Sequence, residues 1–353
     1  MKKLFLFAAF TLLFSCSSDD TTTNTTDNTN EQPSMNDEIF LGGSYGNKAA
    51  YWINNQVFTP YGINSKINEV TLHNGKLTGC GEQLNEARSV NEGVYFQNAT
   101  VTSIQPYILT TVSNNTEHSY AKAMFSDGTD YYIAGNDGNR ISFWKNGYLK
   151  TNLTDNSTSG YAKGIFVSGN KLYMVGWQGN TPKAMLWEYD LVTNAPSLRT
   201  NLTGGATGIA NSVFVSGTDV YVGGWRNHNA TYWKNGVETN LSNLSGADGV
   251  DKKAYINKII VVDNVVYAVG LIKETASSSF EACLWKNGVM TKLSKSGTGD
   301  SEAFDIKVKG NNVYIVGDET VSHGRIGKLW KNGVATNYEV AGSEISLRSI
   351  VVK

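Results

Sequence analysis

Two tryptophans in this chain of 353 residues stand at matching places in a repeated pattern, with polar residues beside them. Trp177 ends the run GIFVSGNKLYMVGW, and Trp225 ends SVFVSGTDVYVGGW. We expect each tryptophan to open the loop that follows its strand. An indole is a flat apolar surface with a polar edge, which suits the C–H face and the hydroxyls of a sugar ring. The pattern therefore predicts an aromatic shelf for a glycan; the alternative is that both rings fold back as hydrophobic plugs. The shelf residues are Trp177, Gln178, Trp225, Arg226, Asn227 and His228.

Residues for metal-dependent or nucleophilic chemistry are scattered along the chain. The four histidines lack the short spacing of a zinc site, and no calcium loop or Gly-x-Ser-x-Gly elbow is present. Cys80 and Cys283 fall in different repeats, so we expect two buried free thiols. The sequence therefore predicts no metal, no cofactor and no catalytic residue.

A few acidic residues keep a catalytic alternative open. Paired carboxyl groups can act as general acid and base on a glycosidic bond. The candidates on predicted loops are Glu82, Glu274, Asp318 and Glu319. The alternative to a binding protein is therefore an extracellular glycan-active enzyme, either a lyase or a hydrolase.

The elements that would position these residues follow a repeat. Each unit has two β-rich runs joined by a turn signal, the second ending in Gly, and the pattern predicts a hairpin. A third strand ends in an aromatic residue, often as Trp-Lys-Asn-Gly, and a fourth short strand follows. Four antiparallel strands form one blade of a β-propeller. The glycine ending the second strand recurs about every 46 residues at Gly43, Gly81, Gly135, Gly176, Gly224, Gly270 and Gly317.

The two ends of the repeat region complete each other. The first unit starts at EIFLGGS (38–44), which is a second strand without a first, and the chain finishes with the first strand SLRSIVVK (346–353). Pairing these segments would remove two unpaired sheet edges, which promote aggregation. We predict an all-β fold, a seven-bladed propeller over 37–353, closed by the C-terminal strand completing the N-terminal blade.

The same alignment gives a second candidate site at one position of the innermost strand. That position is polar in six blades and follows a small or aliphatic residue. Because innermost strands line the central channel, the pattern predicts a polar, net-positive collar that suits an anionic ligand such as a uronic acid. The alternative is an ordinary solvated rim. The polar collar residues are Asn68, Lys122, Lys163, Asn211, Asn257 and Arg348, and the seventh position holds Phe304.

The first residues have the pattern of an export signal. Lys2 and Lys3 precede an apolar run of eleven residues (4–14), too short to span a membrane as a helix. The run ends in Leu-Phe-Ser-Cys, which resembles the lipobox of bacterial lipoproteins and implies cleavage after residue 15 and a lipid on Cys16. The following Ser-Ser-Asp-Asp resembles the surface-export signal of Bacteroidetes lipoproteins. Residues 16–36 are rich in Thr, Asn, Asp and Ser and predict a flexible tether.

The third and fourth strands carry a further resemblance. EACLWKNGVMTKL (281–293) is similar to the HAF-type extracellular repeat of bacterial proteins, although its opening histidine is replaced here. That repeat class implies an exported domain and no particular activity.

These observations lead to one preferred function. We expect a monomeric lipoprotein, anchored in the outer membrane through Cys16 and facing the cell exterior. It would act as a non-catalytic binding module with a glycan as the favoured ligand; a protein–protein scaffold is a further alternative. The formal charge of −1 and the lack of a basic stripe argue against nucleic acid.

Overall fold

Seven antiparallel sheets of four strands account for the regular structure in the computed structural model. It describes residues 37–59, 64–87, 89–98, 106–111, 118–242, 252–275 and 277–353. Glu38–Lys353 form one compact unit. The predicted signal peptide (1–15), the predicted lipidation site Cys16 and the tether (16–36) lie outside the described residues.

The strands follow the chain around the ring. Blades 1 and 2 contain β1 (Ile39–Tyr45), β2 (Lys48–Ile53), β3 (Gln56–Phe58), β4 (Ser65–His73), β5 (Lys76–Asn85), β6 (Val90–Asn98) and β7 (Pro106–Thr111). Blades 3 and 4 contain β8 (Ser119–Ser126), β9 (Tyr131–Asp137), β10 (Arg140–Lys145), β11 (Leu149–Asn152), β12 (Gly160–Ser168), β13 (Lys171–Gln178), β14 (Lys183–Asp190) and β15 (Ala195–Asn201).

The second half of the chain repeats this arrangement. Blades 5 and 6 contain β16 (Gly208–Ser216), β17 (Asp219–Arg226), β18 (Asn229–Lys234), β19 (Val237–Asn240), β20 (Lys253–Val262), β21 (Val265–Lys273), β22 (Glu281–Lys286) and β23 (Val289–Lys292). Blade 7 contains β24 (Ser301–Lys309), β25 (Asn312–Val321), β26 (Gly324–Lys331) and β27 (Val334–Tyr338), and β28 (Ile345–Val352) returns to blade 1.

The ring closes through its terminal strands. β28 pairs antiparallel with β1 from Ile39↔Val352 to Tyr45↔Ile345, and the sheet order is β28-β1-β2-β3. Two backbone hydrogen bonds between Glu38 and Lys353, of 3.1 and 2.9 Å, extend the pairing by one residue. The predicted seven-bladed propeller with shared-blade closure is confirmed.

Every innermost strand contains a β-bulge at the same place. The strand register skips one residue in each blade, which leaves that residue unpaired. A bulge turns its extra side chain away from the regular strand direction. The skipped residues are Asn68, Lys122, Lys163, Asn211, Asn257, Phe304 and Arg348.

The blade-marking glycine of each second strand faces this bulge, and the strand continues past it. A Cβ at Gly176 would lie 1.9 Å from the carbonyl oxygen of Tyr161, and one at Gly270 would lie 1.8 Å from that of Tyr255. In all seven blades the corresponding distance is between 1.8 and 2.0 Å. The blade-marking glycine is therefore required because a bulged carbonyl occupies the space of a side chain.

The Trp-Lys-Asn-Gly motif stabilises the opposite end of the blade. In blade 5, Trp233 is fully buried and packs with Val175 and Leu186 of blade 4. Lys234 lies over the ring of Tyr221, 5.3 Å from its centre. Asn235 has φ 51° and accepts a 2.8 Å hydrogen bond from the Val220 amide. The motif is therefore used for inter-blade packing and turn formation.

We expect Gly176→Ala to lower the free energy of unfolding by about 3 kcal/mol, because a methyl group there overlaps a backbone carbonyl. Denaturant unfolding followed by tryptophan fluorescence measures this change. Gly205→Ala is the matched control, since no atom lies within 4 Å of its added Cβ, and it should change stability by less than about 0.5 kcal/mol. Equal stability of the two variants would show that the bulge tolerates a side chain.

Candidate functional site

The bulged residues line the upper part of the central channel. All seven border one cavity of about 100 Å³ together with the residues that follow them. We call the seven residues the collar and this cavity the upper chamber. The position chosen from the sequence alignment therefore forms a continuous ring in three dimensions.

The three collar asparagines connect neighbouring blades. Each side-chain amide donates to the carbonyl that precedes the collar residue of the next blade. Asn68 donates to Ala121 at 2.8 Å, and Asn211 donates to Ile256 at 2.8 Å. Asn257 makes the same contact with the Ala303 carbonyl at 2.9 Å. Half of the polar collar thus has a structural role.

Two collar cations have partners within the chain. Lys122 forms an ion pair with Glu82 and lies 4.7 Å from the centre of the Tyr120 ring. Glu82 is buried, which favours its neutral form, but Lys122 lowers its pKa overall. Arg348 stacks on the Phe304 ring at 3.8 Å and lies 3.8 Å from Asp318.

Lys163 differs from the other collar cations. Its ammonium group forms no ion pair and no hydrogen bond with the described residues. The side chain is exposed to the water space of the channel, whose walls the blades form. Desolvation by these walls, together with the charge of Lys122, lowers the pKa of Lys163 to about 8. Lys163 is therefore a solvent-accessible cation inside the channel, and no described residue contacts its ammonium group as a counter-charge.

An ion pair crosses the channel below the collar. Lys258 of blade 6 reaches Glu69 of blade 2, and it also lies 3.8 Å from Asp305. Burial disfavours the charged form of Lys258, but the two carboxylates raise its pKa overall. The crossing pair borders both the upper chamber and a lower cavity of about 340 Å³. Phe125, Phe166 and Phe214 line that lower cavity.

Aromatic rings surround part of the channel mouth. Tyr120 and Tyr161 stand two residues before Lys122 and Lys163 on their strands. Their ring centres are 5.6 Å apart, and Trp177 lies 5.4 Å from Tyr161. All three rings are half-buried. We call Tyr120, Tyr161 and Trp177 the first aromatic group.

A second aromatic group lies on blades 5 and 6. Trp225 stacks on His228 with ring centres 5.4 Å apart and lies 5.3 Å from Tyr255. Asn227 and His228 form a tight turn with φ values of 48° and 63°. Burial and the nearby Lys253 lower the pKa of His228, so its imidazole is neutral at pH 7.

The predicted shelf is therefore divided. Trp177 and Trp225 belong to strands β13 and β17, not to the loops expected from the sequence. Strand alternation places the next residues on the opposite side of the sheet. Gln178 is buried and accepts a 2.7 Å hydrogen bond from Arg199, and Arg226 lies 3.5 Å from Glu238. Asn227 is exposed at its turn.

The other chemical groups named from the sequence have structural partners. Glu274 and Glu319 form 2.7 Å ion pairs with Lys292 and Lys328, and Asp318 lies 3.1 Å from Arg325. Cys80 and Cys283 are buried free thiols, as predicted. Over the described ranges, no cluster of three potential metal ligands is found. The described residues also contain no helix that is long and apolar enough to cross a membrane.

Sequence reasoning missed several residues at the mouth. Tyr120, Tyr161, Tyr255 and Glu302 share the position two residues before the collar. The glycine alignment contained this signal, because the carbonyl of the same position lies against the blade-marking glycine. Glu302 is enclosed, accepts a 2.8 Å hydrogen bond from Asn257, and has a pKa raised by burial.

Comparisons with known proteins give the fold alone. No family model and no curated protein matches this chain. Hydrazine synthase from Kuenenia stuttgartiensis is similar over 74% of this chain and 76% of its own, at 11% identity and a TM-score of 0.51. The β-propeller domain of the Trilobed protease from Pyrococcus furiosus matches 79% of this chain and 96% of its own, at 12% identity and a TM-score of 0.40.

An acylaminoacyl peptidase from Pyrococcus horikoshii matches 78% of this chain at 11% identity and a TM-score of 0.47. This chain spans 46% of that peptidase, which is less than half of its length.

The crossing ion pair gives a stability prediction. We expect Glu69→Gln and Lys258→Met each to lower the free energy of unfolding by about 2 kcal/mol, because each breaks a charged hydrogen bond between half-buried groups. The double variant should lose clearly less than the sum of the two. Denaturant titration of all four proteins measures the coupling. Additivity within about 0.5 kcal/mol would mean that the two groups do not interact.

Proposed function

We propose that this chain is a non-catalytic binding module that takes a glycan at the channel mouth. The observation that carries the proposal is the pair of half-buried aromatic groups on the rim of a polar chamber. Aromatic faces contact the C–H faces of sugar rings, and the polar groups beside them accept or donate hydrogen bonds to hydroxyls. Display at the cell surface through a lipid on Cys16 is part of this proposal and comes from the sequence pattern.

The rings are suited to binding because the fold holds them in place. Tyr161 and Trp177 are paired across β12 and β13, and each ring packs against another aromatic ring. A ligand that meets rigid side chains loses less free energy to ordering them. The half-buried rings therefore offer apolar surface at a low entropic cost.

The carboxylates near the mouth also favour binding over catalysis. Glu82, Asp318 and Glu319 each contact a Lys or Arg side chain. A general acid must carry a proton near neutral pH, whereas Lys122 lowers the pKa of Glu82 and Lys328 that of Glu319, despite the burial of both. Neither group is poised to donate one.

We expect Trp177→Ala combined with Trp225→Ala to weaken glycan binding by tenfold or more, because each ring contributes about 0.5–1.5 kcal/mol of stacking. A glycan array identifies ligands for Glu38–Lys353, and calorimetry gives their affinities. Tyr148→Ala is the control, since Tyr148 is 72% exposed and follows an Asn-Gly turn at the opposite end of its blade. Unchanged affinity in the double variant would remove the aromatic groups from the site.

One residue favours the catalytic alternative. Burial raises the pKa of Glu302, as in carboxyl groups that act as general acids. On the proposed function, we expect no release of reducing ends or unsaturated products from acidic or neutral polysaccharides. Turnover that is abolished by Glu302→Gln and retained by Glu274→Gln would instead establish an enzyme.

A further inference from the structure

We propose that the upper chamber binds one singly charged anionic group of an acidic sugar, a carboxylate or a sulfate ester, with Lys163 as its anchor. This inference rests on the proposed glycan-binding function and specifies the class of ligand. The sugar ring itself would lie outside the chamber, on the first aromatic group.

Among the described residues around the collar, the charge pairing leaves one cation, Lys163, available. Lys122 is paired with Glu82, and Arg348 lies between Phe304 and Asp318. Lys163 is attracted by Glu82 and Glu302 only at a distance and is repelled by Lys122 and Lys66. Because Lys163 is exposed to the channel and has no contacting partner among the described residues, its ammonium group can meet an anion that enters the channel.

In the part of the chain that the structure describes, no residue supplies a counter-ion to Lys163. The residues that follow Lys122 and Lys163 are Ala123 and Gly164, which carry no acidic group. At the same ring position, blades 2 and 7 have Glu69 and Asp305, and both carboxylates lie near Lys258. The two carboxylates are thus paired with Lys258, whereas no acidic side chain follows the collar residue on the side that holds Lys163.

The lining of the chamber favours a charged group. The chamber is the smaller of the two channel cavities, at about 100 Å³ against about 340 Å³, and most of its lining side chains are polar or charged. Tyr161 lies two residues before Lys163 and contacts Trp177 at 5.4 Å. A ring stacked on these aromatic residues would place an acidic substituent above Lys163.

The surrounding carboxylates select the charge of the ligand. Glu82 and Glu302 both act on Lys163, so a phosphate dianion would meet two negative groups and one free cation. A single negative charge matches the one unpaired ammonium. A carboxylate and a sulfate ester have this charge at neutral pH.

Binding should depend on pH through Lys163. Its pKa of about 8 means that the ammonium form is lost as pH rises through this value, and the attraction for an anion is lost with it. The other groups that face it are Lys66, Lys122, Glu82 and Glu302. Both lysines have salt bridges to Glu82, and they lower the pKa of that carboxyl group.

The test is calorimetry of Glu38–Lys353 with glucuronate, glucose 6-sulfate, glucose 6-phosphate and glucose at pH 7 and 9.5. We expect wild type at pH 7 to bind glucuronate or glucose 6-sulfate at least tenfold more tightly than glucose or glucose 6-phosphate. Lys163→Met should lose this preference, and wild type should lose most of it at pH 9.5. Lys163→Arg should keep the preference at pH 9.5, because arginine stays charged. Lys48→Met, at an exposed strand end, is the control.

A thermal scan excludes unfolding as the cause. We expect Lys163→Met to melt within a few degrees of wild type, since the exposed ammonium group makes no ion pair or hydrogen bond with the described residues. Acetate or sulfate should raise the melting temperature of wild type and leave that of Lys163→Met unchanged.

The outcomes separate this inference from the proposed function. Equal binding of charged and neutral sugars, or an undiminished preference in Lys163→Met, would overturn the anion site and leave glycan binding intact. Stabilisation by acetate or sulfate through Lys163, without binding of any sugar, would support the anion site and remove the glycan function.

Discussion

The structure depends on a close contact between a carbonyl oxygen and a glycine. In each blade the bulged inner strand places its carbonyl where the paired residue would carry a Cβ, at 1.8–2.0 Å. Only glycine can lie this close to a carbonyl oxygen. The bulge that results turns the collar residue, two positions after the carbonyl, into the channel. Seven repetitions of one backbone contact therefore produce both the regularity of the ring and the collar, so the channel lining follows from the blade geometry.

Most of the fold was predictable because its determinants are local. The blade-marking glycines reflect the bulge, and Trp-Lys-Asn-Gly combines inter-blade packing, a ring contact and a turn within four residues. The strand extension past Gly176 and Gly224 was not predictable, since tight top turns such as Asn227-His228 allow pairing to continue. Gln178 and Arg226 were therefore expected beside the two tryptophans, although they lie on the opposite face of their sheets.

The site was only partly predictable because its character depends on distant partners. Collar membership could be deduced from the alignment, but the difference between Lys122 and Lys163 comes from Glu82, which belongs to another blade. Lys258 and Glu69 are 189 residues apart, and no local pattern connects them. The collar position thus holds asparagines that join blades and cations that face the upper chamber, and only their contacts distinguish these roles.

The closure of the ring has a consequence for how the domain is oriented. The Ile39 amide donates a 3.1 Å hydrogen bond to the side-chain oxygen of Asn54, in the tight turn of blade 1, so the first strand of the propeller begins on the face of the tight turns. The collar and both aromatic groups lie at the opposite end of the strands. Lys353, which is hydrogen-bonded to Glu38, therefore lies on the face of the propeller opposite the channel mouth.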